Sequence, residues 1–124
     1  METIRIDIAT QEIGKTEKRW VWLELRDGSI KMLTYDIGDA AKTRNREDYE
    51  FWLIIPDKAM SLAAAFALLR DKEDNRWLTT PPHGLPRLVF DLLLDRYAGN
   101  SEATDELRDF CLAESISYEW ASWP

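Results

Sequence analysis

The chain has little of what covalent catalysis and metal binding require. It contains one cysteine, Cys111, and one histidine, His83. One cysteine excludes an intramolecular disulfide framework, and a structural zinc site needs four ligands that are usually Cys and His. There is no Asp-x-Asp-x-Asp-Gly loop and no GxSxG, Walker-type or GxGxxG segment. We therefore predict no metal, no cofactor and no catalytic residues.

Basic residues and long apolar runs are also scarce. The 16 Lys and Arg stand against 23 Asp and Glu, which gives a formal net charge of −7. Attraction to nucleic acid requires cations that neutralise phosphates, so we expect no nucleic-acid partner. Charges interrupt the apolar segment 1–8, so it is neither a signal peptide nor a membrane span. These features predict a cytoplasmic protein with no membrane partner.

The most informative local pattern is a β-hairpin from Trp20 to Tyr35. Asp27-Gly28 tolerates the positive φ angles of a type I′ turn, which fixes the register of the two strands. One face then carries Val21, Leu23, Leu25, Ile30, Met32 and Thr34, and the other carries Trp20, Trp22, Leu33 and Tyr35. Because both faces are apolar, either helices cover both or an aromatic patch faces outward. The first interpretation is favoured.

Hydrophobic periodicity predicts the other elements. Further strands are expected at Thr3–Ala9, at Tyr49–Ile55 and around Ile116, Tyr118 and Trp120. Helices are expected over Asp57–Arg70, over Pro86–Ala98 and after Ser101, which would cap the third helix. The first helix would bury Ala59, Leu62, Ala63, Phe66 and Leu69. Residues 76–80 are expected to be extended, and residues 38–48 to form an exposed loop with Lys42, Arg44 and Arg46.

The order β-β-β-β-α-α-α-β in 124 residues predicts one α+β domain spanning residues 1–124. We expect an antiparallel sheet of four to five strands with about three helices packed mainly on one face. The final strand is expected beside Tyr49–Ile55.

Two features indicate where a partner would bind. Residues 84–124 hold eight acids against three bases, with like charges at i,i+4 that disfavour their helices by a few tenths of a kcal/mol. An acidic surface that folding does not require indicates function, although it can also simply favour solubility. The chain also has six tryptophans, a residue enriched at binding hot spots. Of these, Trp22 and Trp52 are predicted to be core residues.

A compact, acidic, Trp-rich chain without catalytic groups resembles, in general type, the bacterial immunity and inhibitor proteins that neutralise toxins. No motif assigns it to a named family. The resemblance implies a basic protein partner, possibly a toxin. The predicted partner-binding residues are Asp91, Asp95, Glu102, Asp105, Glu106, Asp109, Trp20, Trp120 and Trp123. The alternatives are a homo-oligomeric structural or scaffold subunit, such as a homodimer, and an enzyme that uses carboxylates or His83.

Overall fold

Five antiparallel strands form one sheet, and three helices accompany it, which confirms the predicted α+β fold. The structure is a computed structural model that describes residues 3–12, 18–38, 48–72 and 76–123. Most of the predicted loop 38–48, with Lys42, Arg44 and Arg46, lies outside the described residues. The strands are β1 (Thr3–Glu12), β2 (Lys18–Arg26), β3 (Ser29–Ile37), β4 (Asp48–Ile55) and β5 (Glu119–Trp123).

The hairpin between β2 and β3 has the predicted register. Trp22 lies opposite Leu33 and Leu25 opposite Ile30. Asp27 and Gly28 have φ angles of 51° and 82°, as a type I′ turn requires. A Cβ on Gly28 would lie 2.9 Å from the Asp57 carboxyl carbon. The turn conformation therefore favours glycine here, and a larger residue would also displace the Asp57 carboxyl.

The sheet is a meander in the order β1-β2-β3-β4-β5. The last strand, β5, returns after all three helices and pairs with β4, where Trp120 lies opposite Leu53. This confirms the expected position of the final strand. The antiparallel arrangement places β5 at one edge of the sheet and β1 at the other.

Three longer helices lie among the described residues between β4 and β5, together with the short 3₁₀-helices Arg76–Leu78 and Pro82–Gly84. The first, α1, begins as the α-helix Asp57–Ala59, continues as the π-helix Met60–Ala64 and ends as the α-helix Ala65–Lys72. The others are α2 (Leu85–Tyr97) and α3 (Ala103–Ala113). Gly99, with a φ angle of 79°, follows the end of α2, as expected of a glycine in the left-handed region after a helix.

The buried side of α1 differs from the predicted one, and a π-helical turn lies within this helix. A π turn closes i→i+5 hydrogen bonds instead of i→i+4 bonds, so the side chains beyond it are rotated relative to a regular α-helix. Met60 and Leu68 are buried, whereas Leu62 and Phe66 are 74% and 50% exposed. The predicted inward stripe of α1 is therefore wrong at Leu62, Phe66 and the exposed Ala63.

Two smaller predictions are also wrong. Arg76–Leu78 is a 3₁₀-helix rather than an extended segment. Helix α3 begins at Ala103, and the Glu102 backbone N–H donates to Asn100 Oδ1 at 2.8 Å. No side chain caps this helix, so the predicted cap by Ser101 is wrong. The Asn100 bond forms an Asx turn that precedes the helix, because its amide oxygen reaches the backbone two residues ahead.

The two faces of the sheet differ in what lies against them. Cross-strand pairing places one set of side chains on the helix side: Val21, Leu23, Leu25, Ile30, Met32, Thr34, Phe51, Leu53 and Ile55. We call this the covered face. The opposite side, which we call the open face, carries Trp20, Trp22, Leu33, Tyr35, Trp52 and Trp123 with the charged residues between them.

The buried cluster that joins the sheet to the helices contains side chains of the covered face and none of the open face. Within the described ranges the helices therefore pack on one face of the sheet. The interpretation that helices cover both faces is wrong. Trp22 and Trp52 are half-buried on the open face, so their assignment to the core is wrong as well.

A buried ion pair connects the covered face to α3. Arg19, on β2, donates from Nε and Nη2 to the Asp36 carboxylate at 2.5 and 2.7 Å, and Asp36 is fully buried. Arg19 Nη1 also donates to Glu102 Oε1 at 2.9 Å. The hydrogen bond with Asp36 raises the pKa of Arg19, and burial opposes that rise. This fork holds the start of α3 against the sheet.

Candidate functional site: the open face of the sheet

The open face is organised in rows that run across the strands. One row contains Trp22, Leu33, Trp52 and Ala121, and the next contains Trp20, Tyr35, Glu50 and Trp123. Directly opposed side chains on an antiparallel sheet have Cβ atoms only about 4.5–5.5 Å apart. The sequence therefore places four indoles and a phenol on one continuous surface.

The aromatic rings at the β2–β3 side of this surface contact one another. The Trp20 and Trp22 ring centroids are 6.5 Å apart with an interplanar angle of 6°. Tyr35 lies 5.7 Å from Trp20 and 6.4 Å from Trp22, in tilted orientations. Offset and tilted aromatic pairs each contribute about 0.5–1.5 kcal/mol beyond the area that they bury. These contacts stabilise the cluster, over which none of the described helices lies.

Cations of the chain itself lie over three of the indoles. Arg5 Cζ is 4.4 Å from the Trp22 ring centroid. Lys18 Nζ is 4.8 Å from the Trp20 ring centroid, and Lys31 Nζ is 4.8 Å from the Trp52 ring centroid. At exposed sites such contacts contribute about 0.5–1 kcal/mol each. Three indoles of the open face thus hold cations over their rings.

Trp123 differs from the other indoles of the open face. It is 66% exposed, and no cation of the described part of the chain lies over its ring. Its cross-strand neighbour is Glu50. Glu50 also lines a shallow groove of about 130 Å³ that includes Trp22, Glu24 and Lys31. This corner of the face combines an exposed aromatic ring with a carboxylate.

The predicted partner-binding residues fall on two different surfaces. Trp20 and Trp123 lie on the open face, whereas the six predicted acidic residues lie in or next to the helices on the other side of the sheet. Trp120 also lies on the helix side, where its ring is 5.5 Å from Phe51 and the Arg108 guanidinium is 4.7 Å from its centroid. The structure does not gather the predicted residues into one site.

Several of these acidic side chains have partners within the chain. Asp91 accepts from Arg87 at 3.1 Å, and Glu102 accepts from Arg19 at 2.9 Å. Glu106 accepts from the Asn100 amide, and Asp95 and Asp105 also make polar or electrostatic contacts. Asp109 is exposed and lines a groove between α2 and α3. Their charges persist at long range, but few of the carboxylates are free to bind directly.

Titratable groups also meet in an open groove beside the hairpin turn. This groove, of about 560 Å³, is lined by Asp27, Asp57, Lys58, His83 and Arg87 together with apolar side chains. All five side chains are exposed to solvent. The groove therefore does not exclude water from these groups in the way that an enclosed active site does.

The remaining candidate groups are accounted for by packing. Cys111 is fully buried in α3, and burial raises the pKa of its thiol to about 12.

Among the described residues, no group of three His, Cys, Asp or Glu side chains is placed to hold a metal ion. No described helix is long and apolar enough to cross a membrane.

No family model, curated protein or solved structure matches this chain. Its function is therefore argued from the geometry of the open face and the distribution of charge.

The residues around the indoles were missed in the sequence analysis. Arg5, Lys31 and Glu50 look like ordinary solvated charges on alternating strands. The signal that could have found them is the register itself, because it extends the Trp22–Leu33 row to Trp52 on β4.

Proposed function

We propose that this protein binds a basic protein partner and neutralises it, in the manner of immunity and inhibitor proteins. The observation that carries the proposal is the open face, where aromatic side chains lie unprotected by the described helices. Trp and Tyr are the residues that dominate binding energy at protein interfaces. A cytoplasmic location is part of the proposal.

The size of the open face fits a protein partner. Strand spacings of about 4.8 Å and residue rises of about 3.4 Å give this face a flat area of roughly 600–700 Å². A standard interface buries about 800 Å² on each partner. The aromatic rows occupy the centre of the face, and charged residues such as Glu24 and Lys31 occupy the adjacent row. A central aromatic cluster with a polar rim is the usual arrangement of an interface hot spot.

The charge of the chain indicates a basic partner. A net charge of −7 creates a long-range field that accelerates encounters with cationic proteins and slows encounters with anionic ones. The acidic residues of α2 and α3 contribute to this field even where they are paired within the chain, because the field depends on the summed charge. In this proposal they steer the partner.

The test has two stages. The protein is first used as bait in an extract of its own cells, and the stoichiometric partner is identified and purified. The association rate of the two proteins is then measured from low to high salt. We expect a basic partner and a rate that falls at least about tenfold between ionic strengths of about 0.01 M and 1 M. An acidic partner, or a rate independent of salt, would contradict the proposal.

A homo-oligomeric subunit is the second candidate, since the same aromatic surface could be covered by another copy of the chain. Light scattering on the isolated protein separates the two. The proposed function predicts a monomer at micromolar concentration. A stable dimer in which the open-face indoles are protected from solvent would favour the second candidate.

A further inference from the structure

We propose that the partner docks on the open face through arginine side chains, and that the corner formed by Trp123 and Glu50 is the principal arginine site. This inference rests on the proposed function and names the surface and the chemistry that it uses. It separates docking, assigned to the open face, from steering by the acidic residues of α2 and α3.

The first argument is that this face already holds cations. Arg5, Lys18 and Lys31 lie 4.4 to 4.8 Å from the ring centroids of three indoles. Each contact places a cation of the chain over the ring of an indole on the open face. These intramolecular contacts are therefore examples of the interaction that a partner's cation would make on the same surface.

The second argument is that one indole of this face lacks such a cation. Trp123 is 66% exposed, and no described cation lies over its ring. Glu50, directly across from it on β4, forms no ion pair with a described residue. A cation that approaches Trp123 from solvent thus meets a ring and a carboxylate together.

The third argument selects arginine over lysine. A guanidinium is planar, so it can stack on an indole while its edge donates two parallel hydrogen bonds to a carboxylate. An ammonium is a compact, strongly hydrated charge that does not offer this combination. The pairing of Trp123 with Glu50 therefore favours a guanidinium.

The carboxylates of α2 and α3 are less suited to bind an arginine of the partner than the corner formed by Trp123 and Glu50. Asp91 and Glu102 are already bonded to Arg87 and Arg19, and Glu106 is bonded to Asn100. A visiting arginine would have to displace these internal donors. The exposed Asp109 shares its groove with Phe110, but the guanidinium of Arg96 already lies 4.7 Å from that ring centroid.

The test uses three short probe peptides in which glycine alternates with arginine, lysine or glutamate. Each is titrated into the full-length protein while the six indole N–H resonances are followed by NMR. We expect the arginine peptide to shift the Trp123 resonance most and to bind about three- to fivefold more tightly than the lysine peptide, as the additional stacking predicts. The glutamate peptide should cause no shift. Trp77, which lies away from the open face and from β5, serves as the internal reference.

Matched variants locate the site. Glu50→Gln and Trp123→Ala should each weaken arginine-peptide binding about three- to fivefold. Asp109→Asn, which removes the same charge from α3, should change it less than about twofold at physiological salt because screening weakens exposed charges at a distance. The unchanged indole spectrum of Glu50→Gln outside the open face confirms that this variant is folded.

Three results would overturn the inference. In the first, Asp109→Asn weakens binding while Glu50→Gln and Trp123→Ala do not, which moves docking to the helices and leaves the proposed function standing. In the second, no peptide shifts any open-face indole. In the third, those resonances shift with protein concentration alone, which assigns the face to a second copy. A salt-independent association with the purified partner would instead contradict the proposed function itself.

Discussion

The covered face and the open face are built from alternate residues of the same strands, yet their apolar side chains are shielded from water in different ways. On the covered face, Leu53 and Met32 are fully buried under helices. On the open face, Trp52 and Trp22 are half-buried, and side chains such as Lys31 and Arg5 lie across their rings. The aliphatic stems of Lys and Arg can cover apolar surface while the charge stays in water. One face is therefore covered by helices, and the other is covered in part by its own charged side chains.

The largest expected difference between the faces concerns their arginines. Arg19→Met leaves the buried Asp36 carboxylate unpaired and should lower the free energy of unfolding by about 3–5 kcal/mol. The matched change on the open face, Arg5→Met, should cost less than about 1 kcal/mol because it removes only an exposed contact. Urea unfolding monitored by circular dichroism measures both. Equal losses would mean that the Arg19–Asp36 pair is not the fork between sheet and α3 that the geometry indicates.

Leu53 and Ile54 provide a second comparison, since they are chain neighbours that point to opposite faces. Leu53→Ala should cost about 2–5 kcal/mol, because it deletes a fully buried side chain and leaves a cavity. Ile54→Ala removes a partly exposed side chain and should cost about 1 kcal/mol or less. A shift of the urea midpoint at constant slope reports each loss. A cost for Ile54→Ala equal to that of Leu53→Ala would mean that the open face is covered in solution.

A hydroxyl pair tests the contact between the sheet and α3. Thr34 and Thr104 are buried, and their Oγ1 atoms are 2.7 Å apart. Thr34→Val should cost about 1–3 kcal/mol, because it leaves the Thr104 hydroxyl buried without a partner. Adding Thr104→Val should recover most of that loss, since neither polar group then remains. If the two single losses simply add in the double variant, the two hydroxyls are not coupled.

At neutral pH the smallest effect on the free energy of unfolding is expected from the ionisation of Cys111. Burial raises the pKa of its thiol to about 12, whereas the unfolded thiol ionises at about 8.5. Folding favours the neutral thiol, so its contribution to stability is complete below the unfolded pKa and is lost as the pH rises toward 12. We expect no reaction of native protein with a thiol reagent at pH 8 and a full reaction after unfolding. Rapid reaction of the native protein would contradict the burial of Cys111.

Short-range patterns predicted the strands well. Asp27-Gly28 specified the turn, and the turn then determined every pair from Arg26–Ser29 to Trp20–Tyr35. Glu24 and Lys31 lie opposite each other, but the Lys31 ammonium extends over Trp52 on the neighbouring strand. Local pairing rules do not include that third strand, so they could not predict where the ammonium goes.

The burial of large side chains was harder to predict for the same reason. The run Tyr49–Ile55 has the apolar character of a strand covered on both faces, but Trp52 and Ile54 are apolar residues on a face without a described helix. In α1, Leu62 and Phe66 belong to the predicted apolar stripe but are exposed to solvent. Both outcomes depend on how elements pack together, which periodicity along the chain does not contain.

The short strand β5 carries one tryptophan on the covered face and one on the open face. Its backbone therefore connects the two surfaces. Trp120 packs on Phe51 beneath the helices, while Trp123 stands beside Glu50 on the opposite side. A ligand bound to Trp123 would also restrain the β4–β5 hydrogen-bond ladder, because Trp123 belongs to that ladder. Binding on the open face would then slow amide hydrogen exchange at Trp120 on the helix side, although the ligand does not contact Trp120.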